Sequence, residues 1–487
     1  MAYFLAIDLG TTGCRSMVFD DALRLFGSDY IEYGLITPKP NWYEQDANLW
    51  WNIACQTMKA AIAASGISGN EIASLSVSSQ GISIVPVDRA WQPLRNALSW
   101  MDTRAEEEEQ RLIAELGQEE TFSRTGKRIA ATYTLPKLLW LQQNEPDVFA
   151  KADYFLMPLD FLTAKLTGRA VTDPSMASGT LFYDMRAGCW HRPTLARYGI
   201  NESKLARILP SGSVAGTVLP EVAALLGLLS DCLVCVGAQD QRCASLGAGL
   251  SPGVVTVSLG TAAAVCKLCA RFAPEDGMHV GWSPYVFAGE WVSESVAGAA
   301  GASLRWLRDS IYQEMTYDTI NCEAEIARER GSEVAFLPYL CGPGFPRFDP
   351  ASTGCFHKIT MATQRGDLAL AVMRGVVFQI REILESMDAN AETKRLVLFG
   401  GGVKSTLWRQ LFADGLNMPV YIPSEAETAG IGAAILAGLG AGRFQKENLP
   451  QIRFSGVSMP SEKAKEENEH YMKFRALEQV LQSGYDS

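Results

Sequence analysis

Two segments of this chain repeat one another at long range. Residues 3–20, YFLAIDLGTTGCRSMVFD, read as an apolar strand, a polar Gly/Thr turn and a second apolar strand, the pattern of a β-hairpin. Residues 254–269, VVTVSLGTAAAVCKLC, read the same way. The turns share Leu-Gly-Thr and begin at Asp8 and Ser258, 250 residues apart in a chain of 487. A repeat at half the chain length predicts two related domains, each opening on a hairpin whose Gly/Thr tip is the size of a phosphate group. Around the hairpins short β-like runs (IASLSVSSQ, CLVCVGA, RLVLFG, VYIP) alternate with helical ones (LWWNIACQTMKAAIAAS, TLPKLLWLQQN, DLALAVMRGVVFQIREILESM). That mixture predicts α/β layers, and excludes a bundle or a sandwich.

Charge narrows the partners. With 43 Lys plus Arg against 54 Asp plus Glu the net charge is -11, and no basic run supplies the positive footprint that nucleic acid or an anionic membrane needs. The most apolar windows, 222–238 and 429–442, are interrupted by Asp231 or are short and Gly-rich, so no membrane span is expected. The start, MAYFLAIDLG, reaches Asp8 too soon for a secretory signal, and a cytoplasmic protein is expected. The eleven cysteines include two CxxC pairs, Cys232/Cys235 and Cys266/Cys269, but they lie inside strand-like runs without the turns of a zinc knuckle. Buried reduced thiols are expected.

Several residues carry chemistry. In the first tip Asp8, Gly10, Thr11, Thr12 and Gly13 offer amides and hydroxyls to phosphate oxygens, and Asp8 suits a hydrated divalent cation. Ser258, Gly260 and Thr261 could grip the same polyphosphate; either tip taken singly could be an ordinary turn. GGGVKST, 400–406, lacks the glycine a Walker loop needs before its lysine, yet flat Gly-rich backbone between a strand and a helix suits a purine or ribose as well as a plain helix start. Asp240 ends an apolar strand, where a carboxylate can take a proton from a hydroxyl or cap the next helix. Gln80 ends another strand, and Trp100, Asp102 and Arg104 sit in SWMDTRAE; they suit a polyhydroxylated ligand, or for Asp102 and Arg104 a cap and a salt bridge to the following EEEE run. His191, His279, His357 and His470 are isolated and receive no role.

Together these motifs resemble the FGGY family of carbohydrate kinases over nearly the whole chain. DLGTTGCR (8–15) is similar to the family's first phosphate motif, SLGTAAA (258–264) to its second, FGGGVKS (399–405) to its adenosine motif and GAQDQ (237–241) to the segment with the catalytic aspartate. TLPKLLWLQQN (134–144), with Lys137 and Trp140, and LTGRAVTDPSMASGT (166–180) also have the family's form. The resemblance implies an α/β two-domain actin/hexokinase-type ATPase fold, duplicated ribonuclease H-like domains with an interdomain cleft: an N-terminal domain 1–250, a C-terminal domain 251–445 and a helical tail 446–487. It implies transfer of the ATP γ-phosphoryl group to a sugar or polyol hydroxyl, with Mg2+. Asp240 is then the base. Asp8 holds the metal's water shell; Gly10, Thr11, Thr12, Arg15, Gly260, Thr261, Gly401, Gly402 and Ser405 hold the nucleotide; Gln80, Trp100, Asp102, Arg104 and Gln241 hold the acceptor. Homodimers are frequent in such families, and nothing in the sequence marks an interface.

The acceptor is read by departures from the pattern. Glycerol kinases of the family follow the residue equivalent to Gln80 with Arg-Glu, where this chain has Gly81 and Ile82, and Thr132 stands where their tyrosine falls. Xylulokinases usually show Met-His after that Gln, also absent, but share Trp100-x-Asp102. The family's Gly-Glu-Arg in the loop GPGFPRFDPASTG is replaced by Gly342, Pro343 and Gly344. A ketopentose such as xylulose is favoured, with other ketoses, polyols and sugar acids open. An actin-like ATPase switch and a sugar sensor without phosphotransfer are the alternatives; Asp240 and the Gln80/Trp100 cluster favour the kinase.

Overall fold

The computed structural model of the chain describes residues 2–485 except 277, 314, 345, 347–351 and 388–391. Part of the loop after Gly344 and the last two residues of the tail therefore lie outside the described residues. Along the chain run β1 (Tyr3–Leu9), β2 (Gly13–Asp20), β3 (Leu25–Glu32), α1 (Ala47–Ser65), β4 (Ile72–Ser79), α2 (Thr134–Asn144), β5 (Val214–Thr217), β6 (Leu233–Gln239) and α3 (Asp240–Gly247). They continue with β7 (Val254–Leu259), β8 (Ala263–Cys269), α4 (Gly301–Leu307), α5 (Tyr317–Glu329), α6 (Arg365–Ser386), β9 (Arg395–Phe399), α7 (Thr406–Leu416), β10 (Val420–Pro423), α8 (Thr428–Gly440), β11 (Phe454–Ser458) and α9 (Ala464–Tyr485).

Contacts divide the chain into two compact units, one of residues 1–247, 269–292 and 427–452, the other of 248–268, 293–426 and 453–487. Each unit is discontinuous, whereas the family resemblance implies single cuts near 250 and 445. In the first unit the sheet order is β5-β6-β4-β1-β2-β3. β1 pairs antiparallel with β2 and parallel with β4, β4 is parallel to β6, and β5 closes the edge antiparallel to β6. The second unit's sheet contains the run β8-β7-β9-β10-β11. There β7 is antiparallel to β8 and parallel to β9, β9 is parallel to β10, and β11 is antiparallel to β10. The two units share one strand plan, so the hairpin repeat in the sequence marks a repeat of the whole sheet.

Local chemistry sets these elements. β1 is nearly continuously apolar and buried along its length, with the helices α1 and α8 packed against it. Asp46 caps α1 by accepting from Asn48 N, and Gly66 ends it in the left-handed conformation, φ 68°. The Ala/Gly composition of α8 has a packing cause. In the first unit α8 lies so close to α3 that a Cβ on Gly247 would stand 1.9 Å from Thr428 O, and one on Gly432 would stand 2.0 Å from Cys243 O. Only glycine allows this backbone approach, which fixes the helix that begins at Asp240.

Candidate active site

Strand register brings three predicted residues to one end of the first unit's sheet. Asp8 is the register partner of Ser78, and Ser79 is the partner of both Leu9 and Gln239. Asp8, Gln80 and Asp240 therefore stand at the carboxyl ends of three neighbouring parallel strands, where open α/β sheets bind ligands. The Asp8 carboxylate accepts from Ser78 Oγ at 2.8 Å. Burial pushes its carboxyl up to about 6 and Glu427 adds to this, while Ser78 and Arg15 oppose it. Asp240 Oδ1 accepts from Gln239 Nε2 at 2.5 Å and from Gln241 N at 2.6 Å, so its two chain neighbours orient the carboxylate.

The first hairpin tip is braced from behind. Gly10 N donates to Gly13 O at 2.9 Å, Tyr33 OH donates to Gly10 O, and Tyr33 N donates to Thr12 O at 2.9 Å. The amides of Thr11 and Thr12 donate to no described residue, which leaves two N–H groups for an anion. Trp100 Nε1 donates to Thr11 Oγ1 at 2.8 Å. An indole N–H can only donate, so the Thr11 hydroxyl accepts there and keeps its own proton for a ligand oxygen. Arg15 is engaged with Glu427 at 3.3 Å and stacks over the Tyr30 ring at 4.7 Å.

Asp102 and Arg104, expected on the acceptor, pair with one another, while Arg104 Nη1 stays buried without a hydrogen-bond partner among the described residues. Both side chains are fully buried and paired at 2.8 Å, and Asp102 also accepts from Tyr43 N at 2.6 Å. The Arg104 guanidinium lies 3.9 Å from the Trp42 ring centre and 4.9 Å from that of Trp140, and donates to Glu44 at 2.9 Å. The salt bridge expected toward the EEEE run is instead made to Glu44. This cluster holds the strap 41–45 against 97–104 through Ser99 N to Tyr43 O at 2.9 Å and Thr103 N to Asn41 O at 3.1 Å. Lys137 supports the same loops by donating to Ser99 O at 2.6 Å and Ile82 O at 3.3 Å; burial pushes its ammonium down to about 7, with Asp102 opposing and Arg104 adding.

In the second unit the second hairpin tip and the glycine run line a cavity of 680 Å³. Gly260 N donates to Ala262 O at 3.0 Å, while the Gly260 and Thr261 carbonyls accept from Gly301 N and Ala302 N at 2.9 and 3.0 Å. Gly301 must be glycine, because a Cβ there would stand 2.4 Å from Gly260 O. Gly401 and Gly402 line the cavity, and Gly401 has no atom within 4 Å of a Cβ position. Ser405 caps α7 by accepting from Trp408 N at 3.0 Å and donates to Asn321 at 2.8 Å. Arg305, Tyr317, Asp318 and Asn321 from α4 and α5 complete the wall. Sequence reasoning missed them because they sit in an ordinary amphipathic stretch without a motif.

The first unit's braced hairpin tip with strand-end carboxylates and the second unit's Gly-lined cavity each have the size and chemistry that suit a phosphate or a nucleotide. Residues 3–247 match the FGGY family of carbohydrate kinases, N-terminal domain, and residues 255–441 match the C-terminal domain. The chain belongs to this family and is an ATP-dependent carbohydrate kinase, a phosphotransferase with an alcohol group as acceptor. It is 30% identical over 451 residues to a xylulose kinase of Lactococcus lactis, covering 91% of this chain and 89% of the relative. It is 31% identical over 459 residues to a glycerol kinase of Trichlorobacter lovleyi, covering 91% of each. Among solved structures it is similar to a xyloylose kinase from Brucella ovis, with a TM-score of 0.91, 28% identity and 99% of each chain covered. The α/β two-domain fold expected from the motifs is the fold of these neighbours.

Proposed function

We propose that the acceptor is a ketopentose such as xylulose, phosphorylated by ATP with Mg2+. The observation that carries the phosphotransfer chemistry is the alignment of Asp8, Gln80 and Asp240 at adjacent strand ends. Asp240 takes the proton of the attacking hydroxyl, whose oxygen then bonds to the γ-phosphorus as ADP departs. Thr11 and Thr12 hold phosphate oxygens through their amides, and the Thr11 hydroxyl donates to them. In the second unit Thr261 offers its amide and hydroxyl in the same way, with Gly260, whose own amide is held by Ala262 O, letting the backbone come close, and the cavity lined by Gly401 and Gly402 takes the adenosine. A divalent cation neutralises phosphate charge when bound; Asp8 fits it, being a carboxylate whose buried negative charge lacks sufficient compensation in the protein alone. Gln80 and Gln241 hold acceptor hydroxyls, with Trp100 beside them.

The xylulose reading is supported by the curated relatives called xylulose kinases, including one of Staphylococcus xylosus at 28% identity. The glycerol kinase relative favours a polyol as the second reading. We place the enzyme in the cytoplasm because it uses ATP and its eleven cysteines are all unpaired. No described helix is long and apolar enough to cross a membrane. The test is ADP release from Mg-ATP across a panel of ketoses, aldoses, polyols and sugar acids, with the product checked by mass. A ketopentose should give the largest rise in rate; a polyol exceeding it would overturn the assignment.

A further inference from the structure

Two amide side chains join the acceptor side of the first unit to its phosphate hairpin. Gln80, 2% exposed, donates from Nε2 to Gln45 Oε1 at 2.9 Å. Gln45, 1% exposed, donates from Nε2 to the Thr11 carbonyl at 2.8 Å. The polarity of this relay follows from its end. A carbonyl only accepts, so Gln45 turns its amino group to Thr11 and its oxygen to Gln80, and Gln80 must turn its own amino group to Gln45. What remains is Gln80 Oε1, buried and without a hydrogen-bond partner. An unpaired buried carbonyl oxygen is destabilising until a donor meets it, and the hydroxyl of a bound sugar is such a donor.

Gln45 is firmly mounted. Glu44 and Gln45 pair as a short antiparallel strand with Leu98 and Ala97, and the Glu44 carboxylate is held by Arg104. The other end of the relay meets a residue with an amide free for phosphate. Accepting a proton donor at Gln80 Oε1 polarises each following amide, because hydrogen bonds in a chain strengthen one another in a low-dielectric interior.

We propose that Gln45 is a positioning residue that couples acceptor occupancy to the phosphate hairpin. A sugar hydroxyl donating to Gln80 Oε1 tightens the Gln80–Gln45–Thr11 relay and holds Thr11 where it binds ATP. This rests on the acceptor and phosphate roles proposed above. By linkage, ATP must tighten the sugar by the same factor as the sugar tightens ATP.

The experiment titrates full-length wild type and Gln45→Met calorimetrically with the panel's best sugar, with and without a non-hydrolysable ATP analogue and Mg2+, and in the reverse order. In the wild type each ligand should tighten the other by one common factor of about 5 or more, and in Gln45→Met that factor should fall to about 1. Each ligand alone should still bind within about twofold of wild type, since a merely structural role would weaken solitary binding too; the melting temperature should fall, because the substitution leaves the Thr11 carbonyl and Gln80 Nε2 without their partner. Gln45→Glu keeps an oxygen toward Gln80 but sets a carboxylate against the Thr11 carbonyl, so it should lose the factor as well; it reads the same quantity if Gln45→Met does not fold. A retained factor in either variant, no factor in the wild type, or loss of solitary sugar binding overturns the coupling. If no sugar binds the wild type, the acceptor assignment fails and the coupling with it. If sugar binds and is phosphorylated but the factor survives substitution, only the coupling fails.

Discussion

Trp100 Nε1 donates to the Thr11 hydroxyl at 2.8 Å while 39% of the Trp100 surface stays exposed. If Thr11 holds phosphate as proposed, an aromatic whose one polar atom is spent on that hairpin should tune nucleotide binding. Trp100→Phe keeps the ring and deletes that bond. A single neutral hydrogen bond is worth about 1 kcal/mol, so the KM for ATP should rise about fivefold. Steady-state kinetics at saturating sugar will measure it; an unchanged KM for ATP would separate Trp100 from the hairpin.

Asp240→Asn removes the proton acceptor but preserves the shape of the side chain and the α3 start. Turnover should fall by about 10²–10⁴ while the nucleotide analogue binds as before. Single-turnover phosphorylation alongside calorimetry separates the two effects. Near-normal turnover would falsify the assignment of the base.

Asp8 gives a pH signature. A carboxyl raised to about 6 in the folded protein favours the protonated form there, so its contribution to stability is greatest below its unfolded value of 3.8 and is lost as pH rises through 6. Asp8→Asn should therefore stabilise the cation-free protein at pH 8, by at most about 3 kcal/mol, with little effect at pH 4. Cation-dependent turnover should disappear in the variant, and in the wild type the cation affinity should weaken as pH falls below 6. Denaturant midpoints at the two pH values check the stability arm, and cation titrations check the other.

Two glycines should respond oppositely. Gly432→Ala puts a Cβ 2.0 Å from Cys243 O in the helix that begins at Asp240, so it should lower both the melting temperature and kcat. Gly401→Ala meets nothing within 4 Å, so it should leave stability intact and raise the KM for ATP by narrowing the cavity. Melting curves and KM values for both variants read the contrast.

What the sequence revealed was local and contiguous. Both hairpins and the end of β6 at Asp240 are legible because a strand, its tip and the next strand or helix lie within a few residues of one another. Gln45 was not legible: it follows Glu44 in an unremarkable segment and gains meaning only through its pairing with Ala97 and its reach to Thr11. Asp102 and Arg104 show the opposite case. Polar residues beside a tryptophan read as ligand contacts, but Trp42 and Trp140 come from distant segments to enclose them, and no local pattern announces such a cage. The discontinuous first unit was hidden for the same reason, since α8 lies far along the chain from the helix it covers.

That late helix also imposes an order on synthesis. A nascent chain that has emerged through Ala426 already contains β1 to β6, α3 and Asp240, yet lacks the surface on which α3 settles. Domains ordinarily fold as they leave the ribosome, N-terminal part first. Here the half that carries Asp240 gains its covering helix only with residues 428–440, after the second hairpin and the glycines that line the second unit's cavity have been synthesised. A prematurely terminated product would hold Asp240 on an uncovered helix, a substrate for proteolysis before it could act on ATP.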